Sequence, residues 1–149
     1  MKIRLIQILT FVILCIFLFG CSIRGIYYLR NFTTKPAKIT LTLADSVTKI
    51  LDEPNFIYSD ELLKIRRNIY KKLKKSVNGK FIDERNLEFE IPAGTTLLFS
   101  IGSNMDLALI ELIKIESMNS TELLNSKDFK QLNLKMRGIG QYTGHYDIK

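Results

Sequence analysis

The side chains that could carry covalent or acid–base chemistry in this chain are few: one histidine, two cysteines and 15 carboxylates in 149 residues. His145 lies close to the end of the sequence, among Gly138, Gly140 and Gly144. A nucleophilic hydrolase needs a base held beside its nucleophile, and a lone histidine in such a stretch reads as a surface residue. Asp83, Glu84, Glu88 and Glu90 are close enough in sequence to offer a carboxylate pair for glycoside cleavage. Glu88 and Glu90, however, alternate with Leu87, Phe89 and Ile91 and read as the outward positions of a strand. The three glycines follow neither the dinucleotide-binding nor the P-loop spacing. The ligand types that metals need are spread singly. The sequence therefore predicts no catalytic residue, no metal site and no cofactor, and a protein that is not an enzyme.

Both cysteines, Cys15 and Cys21, belong to the N-terminal segment, so no disulfide framework or thiolate site can exist beyond residue 21. Lys2 and Arg4 precede a run, residues 5–19, that is apolar apart from Gln7 and Thr10. That is the layout of an export signal. The run ends Leu18-Phe19-Gly20-Cys21-Ser22, which resembles the bacterial lipobox: a leucine three before the cysteine and a small residue just before it. The resemblance implies cleavage after Gly20 and acylation of Cys21, whose thiol takes a diacylglyceryl group. Cys15 follows Leu14, which is too large for that cut site, and Phe19 departs from the more usual Ala, Ser or Thr. Residues 5–23 are also long enough, at 19 residues between Arg4 and Arg24, for an uncleaved membrane helix. Acyl chains buried at about 0.8 kcal/mol per CH₂ would make Cys21 a lasting anchor in membrane lipid. Ser22, in place of Asp, points to the outer membrane.

Around that anchor the chain divides into residues 1–20 as a signal peptide, 21–36 as a lipidated tether and 37–149 as one β-rich domain. The formal charge is +7, and Lys2 and Arg4 would leave with the signal, so a mature chain keeps 20 basic and 15 acidic residues. That excess suits anionic lipid or an acidic partner and is no nucleic-acid signature.

Ile39, Leu41 and Leu43 alternate with Lys38, Thr40 and Thr42 as in a half-buried strand. Residues 45–58 read as a contact loop or short helical turn. Ser59 or Asp60 then caps an expected helix whose Leu62, Ile65, Ile69 and Leu73 share one face, closed by Asn78-Gly79. Its other positions include Lys64, Arg66, Arg67, Lys71, Lys72, Lys74 and Lys75. Such a basic amphipathic helix suits an anionic membrane, an acidic partner, or simply a solvated face. Leu87, Phe89 and Ile91, the turn Pro92-Ala93-Gly94, and Leu97, Phe99 and Ile101 read as a β-hairpin. Residues 107–115 read as a strand covered on both faces, 121–124 as a helical turn, and Leu132, Leu134 and Met136 as one further strand. The fold class expected is α+β, mainly β: a small sandwich with one inserted basic amphipathic helix.

The segment from Leu87 to Gly94, the strand from Leu97 to Ile101, and Asp106-Leu107-Ala108-Leu109-Ile110 resemble the TssJ lipoproteins of type VI secretion systems, in a divergent, Francisella-type form. The likeness covers about a fifth of the chain. It implies a transthyretin-like β-sandwich held by lipid at the outer membrane and facing the periplasm. It also implies a partner, the periplasmic domain of the inner-membrane protein TssM, met through the loop after the first strand. In this sequence that loop is residues 46–58, with Ser46, Val47, Ile50, Leu51, Asn55 and Phe56 as the contact residues. The expected function is a lipid-anchored binding component of a secretion apparatus. The alternatives are an envelope lipoprotein that binds a ligand or lipid in its sandwich, and a small envelope hydrolase.

Overall fold

The computed structural model describes residues 24–44, 54–66, 69–103, 109–125, 128, 135–136 and 141–149. Among these residues eleven strands form two sheets. The strands are β1 (Arg24–Asn31), β2 (Ala37–Leu43), β3 (Asn55–Ser59), β4 (Lys75–Asn78), β5 (Lys80–Phe81), β6 (Asn86–Ile91), β7 (Thr96–Ser103), β8 (Ile110–Glu116), β9 (Thr121–Asn125), β10 (Lys135–Met136) and β11 (Gln141–Ile148). One sheet runs β10-β11-β1-β7-β3-β4 and the other β5-β6-β2-β8-β9.

Alternation explains the second sheet. In β2 every odd-numbered residue from Ala37 to Leu43 is buried and every even one half-exposed. β6 presents Leu87, Phe89 and Ile91, and β8 presents Ile113 and Ile115, to the same side. Tyr27, Leu29, Leu97, Phe99 and Ile148 of the first sheet close the core from across the sandwich. A hydrogen bond from the Tyr146 hydroxyl of β11 to Glu122 of β9 ties the two sheets together.

Strands β6 and β7 have the alternation expected of a hairpin but do not pair with each other. β6 bonds to β2 and β5, whereas β7 bonds to β1 and β3. The Pro92-Ala93-Gly94 turn is an arch that carries the chain from one sheet to the other, so that both apolar faces meet in the core. Pro92 has no N–H to give a ladder, and Gly94 adopts φ 67, where a side chain would be strained. Thr95 Oγ1 donates to the Pro92 carbonyl at 2.7 Å. The deciding partner is Asn31, fully buried at the end of β1. Its amide donates to the carbonyls of Ile91 (3.0 Å) and Pro92 (3.2 Å), and its backbone N–H to that of Thr95 (3.0 Å). The same amide reaches Lys35 O at 2.9 Å, while Oδ1 accepts from Thr33. One side chain thus fastens two crossings, β1 to β2 and β6 to β7, at the same end of the sandwich.

Two further expectations give way. The segment read as a tether contains β1, a central strand paired with β11 and β7. Residues 121–124 form not a helical turn but the outer strand β9, paired with β8. Gly144 lies in β11 opposite Tyr27.

Candidate functional site

Gly20 and Cys21 lie outside the described residues, as do Ser46, Val47, Ile50 and Leu51 and the whole of residues 5–23. Asn55 and Phe56 are described, and they diverge. Asn55 is exposed on β3. Phe56 turns inward and stacks on Phe89, ring centroids 4.1 Å apart at 24°. Its ring also lies against Gly79, where an added Cβ would meet Leu87 at 3.0 Å and Phe56 at 3.1 Å. Gly79 is therefore a point of close approach, and its N–H donates to the Pro54 carbonyl at 2.8 Å. His145 is half-buried in β11. Among the described residues no group of three or more His, Cys, Asp or Glu is placed to hold a metal, and no helix is long and apolar enough to cross a membrane.

The most distinctive surface is built where the basic helix was expected. The described part of residues 60–74 is a strap, irregular but for one 3-10 turn at Ile69–Lys72, and residues 75–78 form β4. The strap is held by bonds that a helix would use internally. The Leu63 N–H donates to Thr96 Oγ1 at 2.8 Å, and that hydroxyl donates to the Glu61 carbonyl at 2.9 Å. Arg30 Nη1 reaches the Leu63 carbonyl at 3.5 Å, and the Lys74 N–H donates to the Tyr58 carbonyl at 3.1 Å. Apolar contact supplies the rest. Leu63, Ile69 and Leu73 are buried on Tyr28 of β1 and Leu98 of β7, with Ile26 and Ile65 packed at the margin. Leu62, part of the expected apolar face, is instead exposed while Leu63 is buried. The strap thus forms a second, smaller core on the outer face of the six-stranded sheet.

With Leu63, Ile69 and Leu73 pinned inward, the strap turns its cations outward. Lys64, Arg66, Lys71, Lys72 and Lys74 are all exposed. Lys75 pairs with Asp60: its ammonium sits 2.5 Å from the carboxylate, a hydrogen bond and ion pair that raise its pKa. Residues 60–75 contain seven basic and two acidic residues, a net of +5. Residues 21–149 as a whole carry the same +5, so the rest of that stretch is electrically balanced. Two grooves flank Lys72. One, of about 440 Å³, is lined by Tyr58, Asp60, Glu61, Lys71, Lys72 and Lys74. The second, of about 390 Å³, has Leu63 and Ile69 as its apolar lining and Lys64, Arg66 and Lys72 as its polar one.

Exposed apolar side chains border this surface. Tyr70 of the 3-10 turn is 45% exposed and Leu62 40%. Phe32, 46% exposed, lies under the Arg30 guanidinium at 5.1 Å. The cations were legible in the sequence, but their carrier was not. A segment-by-segment charge balance is the signal that singles the strap out.

No protein-family model, curated protein or solved structure matches this chain.

Proposed function

We propose that this chain is a lipid-anchored envelope protein, cleaved after Gly20, acylated on Cys21, and acting as a binding component of a type VI-like secretion apparatus from the periplasmic side of the outer membrane. The observation that carries the reading is the Leu18-Phe19-Gly20-Cys21 sequence at the end of an apolar run, followed within three residues by the start of β1 at Arg24. The β-sandwich supports it, because the resemblance around residues 87–110 implies that architecture. The proposed partner is the periplasmic domain of a TssM-like inner-membrane protein.

Expression of the full chain and of Cys21→Ser in a bacterial envelope tests the anchor. The wild type is expected to lose residues 1–20 and gain acyl mass, while Cys21→Ser does neither. Equal mass and equal membrane retention for both would replace the lipid with a membrane helix. Capture of the native protein from detergent-solubilised envelopes tests the partner. Absence of a large inner-membrane protein from the captured material would sink the secretion reading and leave the anchor standing.

A further inference from the structure

We infer that the basic strap is a lipid-facing surface: it lays the outer face of the six-stranded sheet against the anionic bilayer that holds Cys21. The inference rests on the anchor proposed above and adds to it a second membrane contact and an orientation for the domain.

Distance makes the contact possible. Only Ser22 and Ile23 separate Cys21 from β1. At ~3.5 Å per extended residue, Arg24 can stand no more than about 10 Å from the anchored cysteine. Ile26 follows two residues later and already packs against the Leu63, Ile69 and Leu73 cluster beneath the strap. The strap's floor therefore begins on the very strand that the lipid would hold at the surface.

Chemistry selects a bilayer over an acidic protein. Protein interfaces are rich in arginine and poor in lysine, whereas residues 60–75 hold five lysines to two arginines. Lysine is a mobile point charge on a long stem, suited to a diffuse layer of headgroups rather than to a fixed carboxylate. Leu62 and Tyr70, each at least 40% exposed within the strap, are the apolar and aromatic tips that enter the interfacial zone of a membrane. The lipid on Cys21 would already retain the protein, so what the polybasic patch adds is orientation: it would hold the domain flat instead of letting it swing on its link.

The test uses the full-length protein purified from envelopes and placed in two kinds of vesicle, one of phosphatidylcholine alone and one with roughly 30% phosphatidylglycerol. A membrane-impermeant amine reagent labels lysines, and mass spectrometry reads each site. Labelling of Lys64, Lys71, Lys72 and Lys74 is expected to slow at least about threefold in the anionic vesicles and to recover in roughly 0.5 M salt. Lys80 and Lys149 are expected to label equally in both. The charge-reversed variant Lys71→Glu/Lys72→Glu, altered only at exposed positions, is expected to lose the protection of Lys64 and Lys74. Equal labelling of the strap in the two lipids would overturn the inference. So would protection found only in native envelopes, which would assign the strap to a protein. Intact mass reports acylation of Cys21 separately, so failure of the anchor and failure of the contact are told apart.

Discussion

Arg30 and Asp147 face each other across the parallel pair of β1 and β11 and form a two-pronged ion pair, Nε to Oδ1 and Nη2 to Oδ2, each at 2.6 Å. The side chains are only 15% and 23% exposed, and the guanidinium also touches the Leu63 carbonyl and the Phe32 ring. The pair links the first strand, the last strand and the strap. Charge-assisted bonds with this geometry are worth about 1.5–3 kcal/mol. Arg30→Ala is expected to lose about that much in urea unfolding. A double-mutant cycle with Asp147→Asn should return a coupling of about 1 kcal/mol or more.

Thr96 hooks the strap to the sheet through a hydroxyl that both accepts and donates. Thr96→Val keeps the shape and removes both bonds, and is expected to cost about 1–3 kcal/mol. The informative measurement is local: amide exchange at Leu63 should accelerate sharply while that of β2 stays slow. Uniform acceleration across both sheets would mean that the strap is not a separate unit.

Tyr28, 1% exposed beneath the strap, has its pKa pushed up to about 12 from 10.0, by burial first and by neighbouring Tyr70 second. The folded protein holds this proton more tightly than the unfolded chain does. The stability it contributes is whole below pH 10 and is lost as pH climbs towards 12. Ultraviolet titration of the six tyrosines should show Tyr28→Phe removing a late-ionising group and flattening the fall in stability over that window. An unchanged alkaline profile would place the group elsewhere.

Phe56 and Asn55 are adjacent yet opposite in role. Phe56→Ala breaks the stack on Phe89 and is expected to destabilise by about 2–4 kcal/mol. Asn55→Ala, at an exposed position, should change stability by less than about 0.5 kcal/mol. A partner-binding defect in the Asn55 variant would therefore report contact directly, whereas one in the Phe56 variant would report folding.

Where one face of a strand meets water, the sequence revealed it. Ala37, Ile39, Leu41 and Leu43 alternate with polar residues because β2 has one face on the core, and β6 reads the same way. Strand β1 was hidden for the opposite reason. Tyr27 and Leu29 enter the main core while Ile26 and Tyr28 lie under the strap, so both faces of β1 are covered and no apolar–polar alternation marks it. Residues 62–73 imitate a helix because a strap crossing a sheet also returns apolar side chains at intervals of a few residues. What separates the two is Thr96, more than twenty positions away. The arch at Pro92 likewise carries a hairpin's signature, and only the buried amide of Asn31 distinguishes them. The candidate surface was visible as charge and invisible as shape.

The pairing of β1 with β11 joins positions 117 residues apart. Contacts so distant in sequence form late and slow the approach to the native state. Strand β1 cannot be paired on both sides until β11 has been made and delivered. During that interval one edge of β1 is a row of unpaired N–H and C=O groups, open to pairing with another extended chain.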